Sequence, residues 1–210
     1  MASSSAAAGP PASGRPTLVI ASGNAGKVRE FAHLLAELQL EIRPQPEGLE
    51  VEETGDTFAA NARLKATAVA RATGCWALAD DSGLSVNALG GAPGVQSARY
   101  ANSDEARIAR LLRELESAGD RAAQFTAALA LADPSGTIRL EVEGICPGVI
   151  LKETRGSGGF GYDPVFFVPE ADLTYAEMDK GLKGRIGHRG QAFARLAPQL
   201  QALLGAWYSP

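Results

Sequence analysis

Two adjacent aspartates, Asp80 and Asp81, follow an apolar run in the segment CWALADDSGLSV, residues 75–86. The run predicts a buried strand, and we expect both carboxylates at its end. Neighbouring carboxylates repel each other, which raises the pKa of one of them and suits that group to proton transfer. Carboxylates also bind Mg²⁺ where a phosphate supplies further oxygens, and the stretch EVEETG at 50–55 offers more of them. A merely solvated acidic loop is the alternative for both segments.

The segment SGNAGK, residues 22–27, lies between a strand predicted over 17–22 and a helix predicted over 28–38. Free backbone N–H groups, the positive end of the helix and Lys27 would meet there, which suits a phosphate. The segment differs from a P-loop, because two residues instead of four separate its glycines and Val28 follows the lysine. A glycine turn that only tightens the corner is the alternative.

The next helix is predicted over 57–73 and carries Asn61 and Lys65 four residues apart, hence on one face. Asp56 is expected to cap its start, and Gly74 to end it in a left-handed conformation. The two polar side chains either contact a ligand near the helix start or form part of an exposed polar stripe.

The glycine-rich segment GSGGFGYDP, residues 156–164, is either a surface loop or a backbone shaped to lie against a flat ligand. Glycines let backbone amides approach such a ligand, and Phe160 offers a ring for stacking. Further along, GHRG places His188 before the last helix without a second His or Cys at zinc-binding spacing, so we expect it to form hydrogen bonds. The other histidine, His33, is expected to be structural.

These segments suit the parts of one ligand. A phosphate chain, a divalent ion and a planar group together describe a nucleoside triphosphate.

The remaining elements indicate an α/β fold. A helix is predicted over 102–119 with Asn102 and Glu105 in capping-box spacing, and AQFTAALALA and TIRLEVEGI form a hairpin around the turn DPSG. Residues 87–101 are expected to be irregular, PVFFVPE to be a last strand and QAFARLAPQLQALL a closing helix. Because one strand pair is a hairpin while other strands are joined through helices, the sheet is predicted to be mixed.

Composition sets the protein class. The 210 residues suit one domain, predicted over 16–210, after a tail at 1–15 whose small residues and prolines predict disorder. A net charge of −4 gives no surface for a nucleic-acid backbone. Cys75 and Cys146 form no CxxC motif and are expected to be buried in a reducing compartment. Without a signal-like or membrane-spanning stretch, the sequence predicts a cytoplasmic protein.

Five segments resemble, in order, the signature blocks of the inosine triphosphate pyrophosphatase family, which acts on noncanonical purine nucleotides. They are SGNAGKVREF, EETGDTFAANARLKA, ALADDSGLSVNALGGAPGVQSARYA, GSGGFGYDPVFF and HRGQAFARL, from about residue 17 to 205. The resemblance implies two lobes around a long mixed sheet flanked by helices, with the active site in the cleft between the lobes. It also implies a Mg²⁺-dependent homodimer that hydrolyses ITP, dITP and XTP to the monophosphate and pyrophosphate.

The resemblance implies roles for individual residues. Asp81 matches the proton acceptor that activates water, and Glu53 and Asp81 match the metal ligands. The matching substrate-binding positions are Ser22, Gly23, Asn24, Ala25, Gly26, Lys27, Asn61, Lys65, Ser82, Phe160, Gly161, Tyr162, Asp163, Lys183, His188 and Arg189.

Three positions depart from the family pattern. Ser22 stands where threonine is common, Ala60 where glutamate often precedes Asn61, and Gly187 where serine often precedes the His-Arg pair. The first keeps the hydroxyl, while the other two bear on the second helix and on base recognition.

The residues also suggest how the base is selected. Inosine and xanthine carry an oxygen at position 6, which a fixed donor such as Arg189 can bond, whereas the amino group of adenine leaves that donor unpaired. Two other functions remain open at this point: a nucleotide-binding regulatory module without hydrolysis, and a related pyrophosphatase for modified pyrimidine or methylated nucleotides.

Overall fold

The computed structural model describes residues 16–207, so the predicted tail at 1–15 lies outside the described residues. The strands are β1 (Thr17–Ala21), β2 (Glu41–Pro44), β3 (Trp76–Val86), β4 (Ala122–Ala132), β5 (Ile138–Ile150), β6 (Phe166–Val168) and β7 (Leu173–Thr174). The α-helices are α1 (Ala25–Leu34), α2 (Phe58–Thr73), α3 (Asp104–Glu114), α4 (Lys180–Ile186) and α5 (His188–Trp207), and two short 3₁₀ helices span Asn87–Leu89 and Gly94–Arg99.

All seven strands form one mixed sheet in the order β2-β1-β3-β4-β5-β6-β7. β1 pairs in parallel with β2 and β3, while the pairs from β3 to β7 are antiparallel. The parallel pairs are joined through α1 and α2, because a parallel connection has to cross over the sheet. The predicted mixed α/β sheet, including the β4–β5 hairpin, is confirmed.

Side-chain size divides the core on the two faces of β4. Leu129 and Leu131 pack in a leucine-rich cluster with α1 and α5, whereas Ala128 and Ala130 pack in an alanine-rich cluster with α2. Successive strand residues point to opposite faces, so the alternation of leucine and alanine gives one face of β4 large side chains and the other face small ones. The alanines let α2 lie close to the sheet, which brings its polar face to the edge of the cleft.

A third cluster covers the other end of the sheet. The second half of β3, from Leu84, packs with Leu111 and Leu115 at α3 and with Phe166 on β6. The two ends of the sheet are therefore covered by different elements, and these are the two lobes that the sequence predicted. The aspartate pair on β3 lies between them.

The prediction that the strand ends at the aspartates is wrong. β3 continues to Val86, and Asp80 and Asp81 pair with Leu129 and Ala128 of β4. The long β4 supplies hydrogen-bonding partners for residues 77–86, so the polar residues stay in the ladder. The carboxylates consequently lie in the middle of a strand, where the backbone holds them in place.

Two predicted helix caps are shifted by one residue. The side chain of Thr57, not Asp56, accepts the Ala60 N–H at the start of α2. Ser103, not Asn102, does the same at the start of α3. The prediction for Gly74 is confirmed, since it ends α2 with φ of 63°.

Other boundaries also differ from the predictions. α1 ends at Leu34 and not at residue 38, and the segment predicted to be irregular contains the two 3₁₀ helices. α4 was missed because Gly181 and Gly184 weaken its helical pattern. Cys146 is buried as expected, but Cys75 is only half-buried.

Pro198 lies inside α5, as the sequence predicted. Within residues 16–207, no helix combines the length and apolar character needed to cross a bilayer.

Candidate active site

A cleft of about 650 Å³ opens between the two lobes. Its walls come from the β1–α1 turn, the segment before α2, the centre of β3, the second 3₁₀ helix and the glycine-rich segment. The predicted site residues that line it are Ser22, Gly23, Asn24, Gly26, Lys27, Glu53, Lys65, Asp81, Ser82, Phe160, Gly161, Tyr162, Asp163, His188 and Arg189. Residues far apart in the sequence thus share one cavity of ligand size.

One end of the cleft contains five charged side chains that we call the charged cluster: Lys27, Glu53, Lys65, Asp80 and Asp81. The ammonium of Lys65 lies 2.8 Å from Glu53 Oε1, 2.8 Å from Asp81 Oδ1 and 2.8 Å from the backbone oxygen of Asp80. Three oxygens therefore converge on one cationic nitrogen. The two side chains predicted to bind metal are turned towards the same point.

The charged cluster perturbs its members' pKa values. Burial raises the pKa of Asp81, and the opposing attraction of Lys65 does not cancel it. For Lys65 burial acts to lower the pKa, but Asp81 and Glu53 outweigh it and the pKa is raised. A carboxylate with a raised pKa holds a proton more tightly, which is the property a general base needs near neutral pH.

Asn61 lies beneath the cleft and orients Asp81. Its amide nitrogen donates to Asp81 Oδ2 at 3.3 Å, and its oxygen accepts the Gly55 N–H at 2.7 Å. Asn61 is fully buried, so its side chain contacts these two groups and not the open cleft.

Asp80 is buried and serves as the counter-ion of two cations. Its Oδ2 lies 2.8 Å from Lys27 Nζ and 3.3 Å from Arg189 Nε, and it accepts a hydrogen bond from Ser82 Oγ at 3.1 Å. Burial acts to raise the pKa of Asp80, but Lys27 and Arg189 outweigh it and hold the pKa well below the usual range. Asp80 is consequently an anion at neutral pH and poorly suited to accept a proton.

Arg189 connects the charged cluster to the opposite wall. Besides Asp80, its guanidinium contacts Glu30 Oε2 at 2.8 Å and Ser82 Oγ at 2.6 Å. Glu30 also lies 3.2 Å from Lys183, whose ammonium is 2.6 Å from Asp163. Sequence reasoning missed Glu30, although it follows Lys27 at the helical spacing of three and so shares a face with it.

The β1–α1 turn is organised by Asn24, which caps α1. Its side-chain oxygen accepts the N–H groups of Gly26 at 2.8 Å and Lys27 at 3.2 Å. Two of the amides expected to be free for a phosphate are therefore already bonded. At this turn the Ser22 hydroxyl accepts the Asn24 N–H at 3.2 Å and can still donate its own proton, Gly23 is exposed, and the Lys27 ammonium is paired with Asp80.

The glycine-rich segment turns sharply around Asp163. Gly159 and Gly161 have φ values of 75° and 64°, which side chains rarely adopt. Asp163 Oδ2 accepts the Phe160 N–H at 2.9 Å, and the ring of Phe160 lies against Gly26, where a Cβ would come within 3.0 Å of it. Phe160 therefore joins the glycine-rich segment to the β1–α1 turn across the cleft.

Behind one wall of the cleft lie packed rings that we call the aromatic cluster: Phe125, Phe166, Tyr175 and His188. The Phe125 and His188 ring centroids are 4.7 Å apart with 15° between the planes. Burial, with Arg189 next to it, lowers the pKa of His188 well below the ordinary value. The imidazole is therefore neutral, in keeping with the hydrogen-bonding role predicted for it. His33, by contrast, is exposed on α1.

Three predicted site residues do not line the main cleft. Ala25 is exposed at the start of α1, Asn61 lies beneath Asp81, and Lys183 lines a neighbouring pocket of about 280 Å³ behind Phe160. Sequence reasoning also missed Arg99, which lies 2.8 Å from Glu53. Nothing in its local sequence pattern points to that contact, because the two residues meet only through the fold.

The chain was compared with known proteins. A model of the Ham1 family matches residues 18–199, most of the chain. The chain belongs to the Ham1 family. A Ham1 relative from Synechococcus sp. strain CC9311, named dITP/XTP pyrophosphatase, is 64% identical over 187 residues, which cover 89% of this chain and 91% of the relative. One of the same name from Parasynechococcus marenigrum strain WH8102 is 63% identical over 190 residues, covering 90% and 97%.

Solved Ham1 structures agree with the fold. The HAM1 protein of Coxiella burnetii is 43% identical, with a TM-score of 0.81 and coverage of 89% of this chain and 99% of that chain. The Ham1 protein of Staphylococcus aureus is 41% identical, with a TM-score of 0.79 and coverage of 89% and 98%. At these identities the Ham1 fold extends over nearly all of the described residues.

Proposed function

We propose that this chain hydrolyses noncanonical purine nucleoside triphosphates (ITP, dITP and XTP) to the monophosphate and pyrophosphate. The observation that carries the proposal is the division of one cleft into two ends. The charged cluster lies at one end, Phe160 and His188 lie at the other, and Arg189 joins them through its contact with Asp80. The printed name of the Ham1 relatives, dITP/XTP pyrophosphatase, describes the same class of reaction.

In the proposed reaction Asp81 accepts a proton from the attacking water while the bond between the α- and β-phosphates breaks. Asp81 is held by Lys65 and Asn61, and its raised pKa favours proton uptake. Lys27 and Lys65 offset the negative charge of the triphosphate as it changes in the transition state. Asp80 keeps its negative charge and holds Lys27 at the cleft.

Magnesium dependence is a further part of the proposal. Glu53 and Asp81 each place an oxygen 2.8 Å from one point, which the Lys65 nitrogen occupies. Within residues 16–207 no group of three or more His, Cys, Asp or Glu residues converges as a metal site. Two carboxylates nevertheless fit Mg²⁺, because it takes its remaining ligands from water and phosphate oxygens. When bound, Mg²⁺ would neutralise phosphate charge there, and Lys65 would turn to the phosphates.

The end of the cleft near Phe160 and His188 suits a purine base that carries an oxygen at position 6. Arg189 and the neutral His188 present N–H donors, and Phe160 offers a ring for stacking. A base that carries an amino group at that position would leave buried donors unpaired, which lowers its affinity.

Homodimeric assembly, a cytoplasmic location and a single domain over 16–210 complete the proposal. They rest on the resemblance to the family and on the composition of the chain. Sedimentation of the purified protein would test the assembly, and an s-value of a 21.8 kDa monomer would contradict it.

A panel of nucleoside triphosphates tests the activity. ITP, dITP, XTP, GTP, ATP and CTP would each be incubated with Mg²⁺ or with EDTA and scored for monophosphate and pyrophosphate. We expect both products from the first three substrates with Mg²⁺ only. Release of orthophosphate, or nucleotide binding without any hydrolysis, would reject the proposed reaction.

A further inference from the structure

The start of α5 lacks a capping side chain, and the hydroxyl of Tyr175 takes that place. Gly187 precedes the helix and has no side chain to accept the first N–H groups. The Tyr175 oxygen instead accepts the backbone N–H of His188 at 3.2 Å. Helix starts usually receive such a bond from a nearby Ser, Thr, Asp or Asn. Here the acceptor comes from a residue thirteen positions before His188, directly after β7.

The same hydroxyl contacts the side chain of His188. Tyr175 Oη lies 3.2 Å from His188 Nδ1. Because the hydroxyl oxygen already accepts the backbone N–H, its own proton is free to be donated to an imidazole nitrogen. The buried Cys146 thiol also lies next to this hydroxyl, but sulfur is a weak acceptor and the imidazole nitrogen a strong one.

A hydrogen bond at Nδ1 decides where the imidazole proton lies. The ring is neutral, so a nitrogen that accepts from Tyr175 leaves the single proton on the other nitrogen, Nε2. Nε2 is buried and has no hydrogen-bond partner within residues 16–207. His188 lines both the cleft and the pocket behind Phe160. A ligand is thus the available partner for this donor.

Packing prevents the ring from turning over. The planes of Phe125, Tyr175 and His188 lie within 15° of one another, with the Phe125 ring 4.7 Å from His188 and 5.4 Å from Tyr175. To turn over, the imidazole would have to rotate out of the plane of this stack, and it would lose the bond to Tyr175. Tyr175 is itself 1% exposed, so its hydroxyl has a fixed position.

We propose that Tyr175 is a positioning residue that caps α5 and fixes His188 as an Nε2–H donor for the oxygen at position 6 of the purine base. Tyr175 does not line the main cleft, and it acts through His188. The assignment of the recognised oxygen rests on the proposed function, whereas the fixed proton position is a property of the ligand-free protein. A carbonyl oxygen accepts from Nε2–H, and an amino group at the same position cannot.

NMR of the ligand-free protein tests the proton position. The chain has two histidines, and His33 is exposed, so a His33→Asn variant assigns the ring nitrogens of His188. Long-range ¹H–¹⁵N spectra should show a protonated Nε2 and a bare Nδ1 at neutral pH. In Tyr175→Phe, which removes only the hydroxyl, the pattern should shift towards a mixture of the two tautomers. A wild-type ring protonated at Nδ1, or an unchanged pattern in the variant, overturns the proposal.

Kinetics test the consequence for substrate choice. Tyr175→Phe should lower the ratio of kcat/KM for ITP to that for ATP about three- to tenfold, the range that loss of one ordered hydrogen bond gives. Tyr100→Phe is the matched control, because it removes another buried tyrosine hydroxyl, one bonded to Glu114 away from the cleft. An equal fall in both variants, or none in Tyr175→Phe, overturns the positioning role. If the wild-type protein does not hydrolyse ITP, the proposed function fails, and NMR still decides the proton position.

Discussion

The charged cluster and the aromatic cluster, which reaches the cleft through Phe125 and His188, prepare for a ligand in different ways. In the charged cluster each side chain already has a partner of opposite charge within the protein. Apart from Asp80 Oδ1, a buried oxygen without a hydrogen-bond partner within residues 16–207, a metal or a phosphate therefore has to exchange partners with the protein. In the aromatic cluster the rings are packed together and one nitrogen is left unpaired, so a base adds a bond without breaking one.

The difference follows from the cost of burying charge. An unpaired buried ion is strongly unfavourable, so five charged side chains gathered around the centre of β3 are stable only as ion pairs. An unpaired neutral N–H costs far less than an unpaired ion, and the contacts between the stacked rings offset part of that cost. We therefore expect substitutions at the charged end to change both folding and catalysis, and substitutions at the aromatic end to change mainly selectivity.

Asp81→Asn should have the largest effect. The asparagine keeps the size of the side chain but cannot accept a proton from water, so kcat for ITP should fall by about 10² to 10⁴ while nucleotide still binds. Pyrophosphate release measures the effect, and Asp56→Asn, an exposed change before α2, is the matched control. Magnesium titration separates the two roles, because rescue at high metal indicates lost coordination. Activity within a fewfold of wild type would mean that Asp81 is not the base.

Asp80→Asn should have the largest effect on folding. It leaves Lys27 and Arg189 without their shared counter-ion and should lower the free energy of unfolding by about 3 kcal/mol. The pKa of Asp80 is depressed in the folded state, so its charge stabilises the protein above the ordinary aspartate pKa of about 4, and this is lost as the pH falls below it.

Urea unfolding at a series of pH values measures both parts of the Asp80 prediction. The difference between wild type and Asp80→Asn should be greatest near pH 7 and should shrink below pH 4. A difference that stays constant down to pH 2 would show that the charge of Asp80 does not stabilise the fold.

Lys65→Met should expose the repulsion that the ammonium offsets. Without metal, Glu53 and Asp81 would face each other, and the melting temperature should fall by about 2–4 °C for each kcal/mol lost. Added Mg²⁺ should restore more stability in the variant than in wild type, because the cation replaces the ammonium between the carboxylates. Lys152→Met, at an exposed position, is the control. An equal Mg²⁺ shift in all three proteins would place the metal elsewhere.

Phe125→Leu should have the smallest effect and the most selective one. It removes the ring stacked on His188 and Tyr175, which costs about 1–2 kcal/mol of stability, and should lower the ITP-to-ATP ratio of kcat/KM a fewfold without changing the Mg²⁺ titration. Phe31→Leu, in the leucine-rich cluster, should lose similar stability with the ratio unchanged. A changed metal response in Phe125→Leu would mean that the two ends are not independent.

Arg189 is where the two ends meet. It is held by Asp80 on one side and by Glu30 on the other. Its guanidinium carbon, Cζ, lies 5.6 Å from the Phe160 ring centroid. An alanine at this position would remove the proposed base contact and also take one cationic partner from each of two carboxylates. The change that it causes in the ITP-to-ATP ratio of kcat/KM therefore has to be compared with the change in the free energy of unfolding.

The sequence by itself determined the kinds of element and most of the residues that gather in the cleft. Hydrophobic periodicity and glycine turns indicated the mixed sheet, and five ordered motifs indicated the family. These signals are local, because a strand, a turn or a motif is encoded by a few neighbouring residues. For the same reason Gly74 was correctly expected in the left-handed conformation, while caps such as Thr57 were missed by one position.

Only the tertiary structure decided how the charges are shared. Nothing in the sequence distinguishes the environments of Asp80 and Asp81. The fold places Lys27 and Arg189 beside Asp80 and Lys65 beside Asp81, and their pKa values are shifted in opposite directions. It likewise brings Tyr175 to His188. Such contacts join residues distant in the chain, and electrostatic interactions depend on distance and burial in space, which no local pattern of the sequence contains.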